Sequence, residues 1–329
     1  MNYTDIVGED HILNHIKNAV TFGKTSHAYV INGEDGSGKR MIAKLFAQAL
    51  LCESTHKPCE SCHSCKQVMS DNHPDVKWIT HEKPNTISVD DVRVQLNDDI
   101  VIKPYSGPYK IYIMDETEKL GPAGQNAILK TIEEPPAYAV IMLLTNNAAA
   151  LLPTIMSRCV LLNVRPVAKE LVVKYLMEKA GVVDYAAKIA AEFAGGNIGK
   201  AMRLATSAHF GELKENVLTV VKNSPDMEIS ELVAAVKSVT DYKLEAEDYL
   251  NLLLIWYRDV LMYKATMQAD RLIFKEEVME IRKQGSRCSF EGLQNIINAI
   301  DKCRQRLKAN VNFELAVQLM FMTINEEMN

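Results

Sequence analysis

In the first half of the chain, short apolar runs alternate with amphipathic stretches. The apolar runs predict strands at Ala28–Ile31, Val76–Thr80, Lys110–Met114, Ala139–Thr145 and Val160–Val164. The amphipathic stretches predict helices at Glu9–Thr21, Lys39–Leu51, from Ser88 onward, and at Asn126–Glu133. Because strands that alternate with helices form parallel sheets with helices on both faces, this pattern predicts an α/β domain.

The pattern changes after Pro166, where the strand signal ends. Residues 167–206 show three short helical patterns, and the chain from about 208 onward reads as helical throughout, including Leu244–Ala265 and Phe290–Lys308. Glycines near 195 and the segment Ser207–Gly211 mark boundaries. The sequence therefore predicts three parts: an α/β domain over 1–165, a small helical part over 166–207 and a helical domain over 208–329.

Composition and charge limit the class of protein. With 329 residues, 47% hydrophobic and 24% charged, the chain has the composition of a soluble protein with two or three domains. No apolar run reaches the length of a membrane span, and the N-terminus lacks a signal-peptide pattern, so we expect a cytoplasmic protein without membrane contact. A net charge of −5 argues against a protein that grips DNA alone through a broad basic face.

A glycine-rich loop lies between the first predicted strand and the helix that begins at Lys39. Gly33-Glu34-Asp35-Gly36-Ser37-Gly38-Lys39 has the P-loop pattern, in which backbone N–H groups surround phosphate oxygens and the lysine reaches the outer phosphates. The next residue in such loops is Ser or Thr, whose hydroxyl holds magnesium, but here it is Arg40, which cannot bind a cation. We therefore expect a nucleotide site that lacks one catalytic part, and weak ATP or ADP binding stays open.

Two carboxylates follow the predicted strand Lys110–Met114. In P-loop folds, a carboxylate at the position of Asp115 orients magnesium, and a second one at Glu116 activates the attacking water. Any strand can end in acidic residues, so this signal gains weight only beside the P-loop.

Four cysteines are crowded just after the P-loop helix. Cys52, Cys59, Cys62 and Cys65 supply enough thiolates for one tetrahedral Zn²⁺, and in a cytosolic chain such crowding favours a metal over disulfides. His56 and His63 are alternative ligands, and a reduced surface cluster is the other interpretation. No general base lies nearby, so we predict a structural zinc module over residues 52–65.

Together these motifs resemble the bacterial clamp-loader family, the AAA+ subunits of DNA polymerase III that are related to eukaryotic replication factor C. The resemblance is carried by HAYVINGEDGSGK, the four-cysteine insert, KIYIMDE, NAILKTIEEPP and LLTNNAAALLPTIMSRC. It covers about residues 1–165 closely. It implies that the helical remainder forms a lid (166–207) and a collar that oligomerises (208–329).

The resemblance also implies roles for individual residues. The segment from Gly33 to Lys39 would be Walker A, and Asp115 with Glu116 would be Walker B. Thr145 or Asn146 would be the polar sensor of the γ-phosphate. Arg158, in Ser-Arg-Cys, would be an arginine finger that acts on the ATP site of a neighbouring subunit, where its charge stabilises phosphoryl transfer only in the docked complex. By residue type alone, Arg158 also fits an ordinary solvated charge.

Departures from the family pattern favour one type of subunit. Arg40 replaces the metal-binding hydroxyl, and Gly199 stands where the second sensor arginine of the ATPases aligns, with Lys200 one place away. The first two cysteines are separated by six residues, where the family commonly has eight, and the long C-terminal extension of the ATPases does not follow. These features resemble the stator-like delta-prime type, which donates an arginine finger and hydrolyses little ATP itself.

We therefore expect a chain that joins tau/gamma and delta subunits in a heteropentamer, which opens the sliding clamp and places it on primed DNA. Its own ATPase activity is expected to be weak or absent, and its DNA contacts slight. One alternative is an active tau/gamma-type ATPase that tolerates Arg40. The other is a free-standing, zinc-containing nucleotide-binding regulator. The sequence leaves the ring order, the clamp contacts and the purpose of the zinc module open.

Overall fold

The computed structural model describes residues 1–81, 83, 86–228, 231, 236–237, 239–240, 242–309 and 311–328. The chain divides into two compact units. The first unit comprises Met1–Tyr175 and Ala194–Lys200, and the second comprises Leu176–Phe193 and Ala201–Asn329. The predicted lid segment, 166–207, is shared between these units, and the three-part division stays a prediction.

A five-stranded parallel sheet forms the centre of the first unit. Its strands are β1 (Ala28–Asn32), β2 (Val76–Ile79), β3 (Lys110–Met114), β4 (Ala139–Thr145) and β5 (Val160–Asn163), in the spatial order β2-β3-β4-β1-β5. The strands predicted from apolar runs are all present, with bounds that differ by at most one residue. Asn32 at the end of β1 lies opposite Thr145 at the end of β4.

Helices surround the sheet and continue beyond it. Those up to the last strand are α1 (Asp10–Thr21), α2 (Lys39–Leu51), α3 (His63–Met69), α4 (Val89–Val92, followed by a π-helical turn Arg93–Asn97), α5 (Pro122–Glu133) and α6 (Pro153–Met156). The next three are α7 (Lys169–Ala180), α8 (Asp184–Ala194) and α9 (Ile198–Thr206). Helix α5 begins four residues before its predicted start, because Pro122 has no N–H to satisfy and fits the first helical position.

Alternation along the strands produces two apolar layers, one on each face of the sheet. Tyr29 and Ile31 pack in the cluster that includes Ile12 of α1 and Phe46 of α2. Ala28 and Val30 pack in the other cluster, together with Ile128 of α5. Strands buried on both faces read as continuous apolar runs, which is why the sequence showed them clearly. The predicted fold class, a parallel α/β domain followed by helices, is confirmed.

The sheet order places the candidate chemistry at one edge. In a parallel sheet the carboxyl ends of all strands lie along the same side, and crevices at that side bind ligands. The P-loop follows β1, Asp115 follows β3, and Thr145 ends β4, and these three strands are neighbours in the sheet.

The second unit has only helices among its described residues. After α8, its helices are α10 (Ala208–Asn223), α11 (Ala246–Thr266), α12 (Val278–Arg287), α13 (Phe290–Lys308) and α14 (Phe313–Met328). Trp256 is fully buried in its core, and its indole N–H donates to Oε1 of Gln284 at 2.9 Å. Across the described part of the chain, no helix is both long enough and apolar enough to cross a membrane.

Candidate nucleotide site and metal centre

The P-loop is held in shape by its own backbone. The N–H of Gly33 donates to the carbonyl of Thr145 at 3.0 Å, and the N–H of Ser37 donates to that of Glu34 at 3.1 Å. Gly36 and Gly38 have φ angles of +86° and +94°, in the left-handed region that favours glycine, and Gly38 is the N-cap of α2. The loop thus turns sharply from β1 into α2, whose first N–H groups have no partner within the helix.

Lys39 lies buried beneath this loop. Its Nζ donates to the carbonyl oxygens of Gly33 at 2.6 Å and Glu34 at 3.0 Å, and only 7% of the residue is exposed. The ammonium is therefore fixed beside the turn, next to the positive end of α2. This arrangement favours an anion at the loop.

Arg40 lies beside the carboxylate that was predicted to hold magnesium. Its Nε is 3.5 Å from Oδ2 of Asp115, and its guanidinium carbon lies 4.8 Å from the ring centroid of Trp78. A guanidinium has only donors and cannot bind a cation. The residues at this position therefore do not fit a magnesium ion of the usual P-loop kind.

Glu116 has both carboxylate oxygens engaged. Oε1 lies 2.7 Å from Nζ of Lys119, and Oε2 lies 3.2 Å from Nε2 of His81. The Lys119 ammonium holds the pKa of Glu116 below its usual value. The other ring nitrogen of His81 lies 2.7 Å from the carbonyl oxygen of Lys83, so each ring nitrogen faces an acceptor oxygen. A carboxylate held in this way is a weak base for activating water.

One cavity of about 580 Å³ joins these groups. Of the predicted residues, it is lined by Gly36, Gly38, Lys39, Arg40, Asp115 and Glu116. Trp78, Thr80 and His81 also line it, although none of them was among the site residues predicted from the sequence. Because β2 lies beside β3, residues at the end of β2 and just after it reach the same edge of the sheet. Knowledge of the strand order would therefore have identified these three residues.

Thr145 and Asn146 contact a different acidic residue. The hydroxyl of Thr145 donates to Oε2 of Glu118 at 2.8 Å, and the backbone N–H of Asn146 donates to the same oxygen at 3.2 Å. Neither residue is among those lining the cavity. Their role as a phosphate sensor stays a prediction.

The glycine-rich run at the start of α9 packs directly on the P-loop. Asn197 donates from Nδ2 to the carbonyl of Asp35 at 2.9 Å, and the N–H of Gly199 donates to the carbonyl of Gly36 at 3.0 Å. A Cβ atom at position 199 would lie 2.5 Å from that carbonyl oxygen. Any side chain at 199 would therefore collide with the loop backbone, and the alignment of an ATPase arginine with this position stays a prediction.

Arg158 lies just after α6 and is half-exposed. Its Nη1 donates to the carbonyl of Thr154 at 2.9 Å, and its Nη2 lies 3.0 Å from Oε1 of Glu133, at the end of α5. It does not line the cavity of its own chain. Glu133 was not singled out from the sequence, although it belongs to the EEPP motif.

The structure brings the four predicted cysteines together. Cys52 caps the end of α2 and Cys62 caps the start of α3, and all four Sγ atoms lie within 4.8 Å of one another. Backbone N–H groups point at two of the sulfurs, from Cys62 to Cys59 and from Cys65 to Cys62, at 3.4 Å each. Sulfurs around a tetrahedral Zn²⁺, with Zn–S of about 2.3 Å, are about 3.8 Å apart, so the group fits this ion.

The thiols differ in their ease of ionisation. Burial raises the pKa of Cys52 and raises that of Cys65 to about 12, whereas hydrogen bonds led by that from Ser61 lower the pKa of Cys59 to about 6. Metal binding requires thiolates, so a bound cation would offset the cost of the buried charges. His56 and His63 are not part of the group.

Next to the cysteine cluster, Ser64, His73 and Asp75 resemble a catalytic triad by residue type only. His73 Nδ1 accepts from the backbone N–H of Asp75 at 3.1 Å, so its Nε2 carries the proton and donates to Oγ of Ser64 at 2.9 Å. A ring in this state cannot take a proton from Ser64. The carboxylate of Asp75 instead accepts the backbone N–H groups of Tyr105, Ser106 and Gly107. This network fixes a loop and does no acid–base chemistry.

Comparison with known proteins agrees with this geometry. A sequence model described as "DNA polymerase III, delta subunit" matches residues 8–168, and one described as "DNA polymerase III, delta subunit, C terminal" matches residues 214–324. Together they cover more than four-fifths of the chain. The chain belongs to the DNA polymerase III clamp-loader subunit family. The family inferred from the motifs is confirmed.

Two curated relatives align over nearly the whole chain. The delta' subunit of Bacillus subtilis is 26% identical, over 97% of this chain and 96% of that protein. The tau subunit of the same organism is 27% identical over 98% of this chain, which spans only 62% of the tau subunit. Among solved structures, a DNA polymerase III gamma subunit-related protein from Thermotoga maritima is 22% identical, with a TM-score of 0.45 over 95% of this chain and 99% of that one.

Proposed function

We propose that this chain is the delta-prime-type subunit of a clamp loader: it completes the ring with tau/gamma and delta subunits and hydrolyses little or no ATP itself. The observation that carries the proposal is the pairing of Arg40 with Asp115, 3.5 Å apart, where an active P-loop holds magnesium. An ATPase of this class needs that metal to neutralise charge on the transferred phosphoryl group. The complex would work in the cytoplasm and load the sliding clamp on primed DNA.

Two further features of the first unit support a non-hydrolysing role. One oxygen of Glu116 is paired with the Lys119 ammonium at 2.7 Å and the other lies 3.2 Å from Nε2 of His81, so the carboxylate is poorly suited to activate water. Position 199 has no room for a side chain against Gly36, so an arginine cannot act from there. Compared with an active ATPase, Arg40 thus replaces the metal ligand, Glu116 is paired and not free to act as a base, and Gly199 stands in place of the second arginine.

The contribution of this chain to catalysis would be Arg158, acting on a neighbouring subunit. Its guanidinium is held by Glu133 and by the carbonyl of Thr154, and 39% of the side chain remains exposed. An arginine finger lowers the barrier to phosphoryl transfer only when it reaches the γ-phosphate, so hydrolysis in the neighbour would depend on correct docking.

We assign the four cysteines to one structural Zn²⁺, held by Cys52, Cys59, Cys62 and Cys65. A site with four thiolates has no open position for substrate, and the ion would link the end of α2 to the start of α3. Its contribution would be to the stability of the module.

The helical second unit would supply contacts between subunits. On α14, Leu315, Leu319 and Met322 recur at helical spacing and are 51%, 40% and 38% exposed. An exposed apolar stripe of this kind is typical of interfaces in permanent complexes. We expect this stripe to meet the helical domain of another clamp-loader subunit.

The test is reconstitution of the full chain with tau/gamma, delta, clamp and primed DNA. In an assembled complex, Arg158→Ala should reduce hydrolysis at the neighbouring site by about 10³-fold or more and reduce clamp loading with it. Arg271→Ala, at an exposed arginine of the second unit, is the matched control and should have no effect. Unchanged hydrolysis and loading with Arg158→Ala in an intact complex would refute the proposal.

An active tau/gamma-type ATPase is the second candidate, because Lys39 is retained and well placed. The isolated chain would then hydrolyse ATP, and Lys39→Ala would abolish the activity. A free-standing regulator, the third candidate, would fail to co-purify with tau/gamma and delta subunits.

A further inference from the structure

The P-loop cavity keeps the parts that bind phosphate while its metal position is taken by a side chain. We infer that this cavity binds a nucleoside di- or triphosphate without a divalent cation, with the Arg40 guanidinium supplying the charge that magnesium supplies elsewhere. The inference rests on the proposed function in that it gives a role to a P-loop that is not used for hydrolysis.

Arg40 carries a positive charge at the place where a P-loop protein holds its metal. In a P-loop the metal lies between the residue after the lysine and the carboxylate after the Walker B strand. Here Arg40 is the residue after the lysine, and its Nε lies 3.5 Å from Oδ2 of Asp115, so the guanidinium brings a positive charge and several N–H donors to this place. Guanidinium binds phosphate oxygens in a planar fork and stays charged at all relevant pH values.

Trp78 fixes this cation at the cavity. The guanidinium carbon lies 4.8 Å from the indole centroid, and both residues line the same cavity of about 580 Å³. Stacking on an aromatic face restricts a long, flexible side chain and leaves its edge free for hydrogen bonds. Arg40 is therefore positioned by two partners, the indole and Asp115, before any ligand arrives.

The backbone of the phosphate-binding loop is also fixed by hydrogen bonds before a ligand binds. Lys39 is anchored by the carbonyls of Gly33 and Glu34, and the carbonyls of Asp35 and Gly36 are held by Asn197 and Gly199. These contacts use the carbonyl oxygens of the loop and leave the first N–H groups of α2 for an anion. A preorganised loop lowers the free-energy cost of binding.

The ligand would be retained rather than consumed. Glu116 is engaged by Lys119 and His81, and no hydroxyl follows Lys39 to bring in a metal with its water. The chain would hold a nucleotide as a structural element at the edge of the sheet.

The chain provides its own reporter for a test. It has two tryptophans: Trp78 lines the cavity, and Trp256 is fully buried in the core of the second unit. The full-length protein would be titrated with ADP and with ATP, in EDTA and in excess Mg²⁺, and followed by tryptophan fluorescence and by calorimetry. We expect binding in EDTA, with a Kd within about threefold of that in Mg²⁺, and loss of the fluorescence change in Trp78→Phe.

Substitution of Arg40 distinguishes a charge substitute from a surface residue. Arg40→Ser should weaken binding in EDTA by about tenfold or more, as expected for the loss of one charge-assisted contact, and should regain binding when Mg²⁺ is added, because serine can hold the metal. Lys44→Ala is the matched control. Lys44 lies one turn further along α2, 6.0 Å from the same indole, and pairs with Asp71, so its removal should leave nucleotide binding unchanged.

Three results would overturn the inference: binding only in Mg²⁺, no binding by either method, or equal binding of Arg40→Ser and the natural chain in EDTA. Each is read on the isolated chain without its partners. The Arg158→Ala test on the assembled complex is a separate measurement, so failure of the nucleotide site and failure of the clamp-loader role are distinguishable.

Discussion

Substitution of Gly199 by alanine tests whether the start of α9 holds the backbone of the P-loop in place. The N–H of Gly199 donates to the carbonyl of Gly36 at 3.0 Å, and an added Cβ would lie 2.5 Å from that oxygen and 2.9 Å from the Gly36 Cα. The atoms in the way are backbone, so the methyl group cannot be accommodated by a rotamer change. The contact must open, or the loop must shift.

The expected cost follows from three contributions. Overpacking against a rigid partner costs about 1–3 kcal/mol. Loss of the hydrogen bond adds about 0.5–1.5 kcal/mol. Replacement of a helical glycine by alanine returns about 1 kcal/mol, since alanine has the higher helix propensity. The net destabilisation of the contact between Gly199 and Gly36 is therefore about 0.5–3.5 kcal/mol, which corresponds to about 2- to 400-fold easier local opening.

Hydrogen exchange measured by mass spectrometry reads this opening directly. Peptides that contain residues 33–39 should exchange faster in Gly199→Ala by that factor, while peptides from β3 and β4 stay protected. Gly211→Ala is the matched control: it also replaces a glycine near the start of a helix, but no atom lies within 4 Å of its added Cβ. Equal exchange of the loop in the two variants would show that the Gly199 contact does not hold the P-loop.

Three further substitutions test other parts of the first unit. Cys59→Ser should reduce bound metal below the expected one zinc per chain in elemental analysis, and should lower thermal stability. Asp75→Asn should destabilise the chain by about 1–3 kcal/mol at neutral pH in urea unfolding, because an amide cannot accept three backbone N–H groups as a carboxylate does. Burial alone would raise the pKa of Asp75, but those N–H groups outweigh it and hold the pKa below its usual value. The stabilisation is thus complete above about pH 4 and is lost as pH falls through the folded-state pKa, so the difference between the variant and the natural chain should shrink in acid. Glu133→Gln should lower ATP turnover of the assembled complex by about 2- to 5-fold, since the exposed ion pair orients Arg158.

Each of these three substitutions has a control, in which the same type of residue is replaced at a position where little or no effect is expected. Cys159→Ser should leave the zinc content unchanged, because that thiol lies outside the cluster. Asp71→Asn, at an exposed aspartate whose partner is Lys44, should cost less than about 1 kcal/mol. Glu134→Gln should leave turnover unchanged, and Glu133→Gln should have no further effect in Arg158→Ala. Persistence of the Glu133 effect in that background would mean that it acts through stability and not through the arginine.

Much of the fold could be predicted because its signals are local. The strands are buried on both faces, so each is a continuous apolar run, and the P-loop is a contiguous pattern in which glycines occupy left-handed positions. The cysteines lie within one short segment, so their spacing alone indicated a common metal site. Arg40 could be recognised as a departure because the chemistry of a guanidinium does not depend on the fold.

The strands, the family and the lack of a metal-binding hydroxyl after Lys39 could thus be read from the order of residues alone. The surroundings of that position depend on the folded chain: Trp78 of β2 lies against Arg40, His81 and Lys119 contact Glu116, and Gly199 donates a hydrogen bond to Gly36. These partners are far apart along the chain or come from neighbouring strands. Their contacts depend on strand order and on distances of a few ångströms between backbones, which no local pattern of residues encodes.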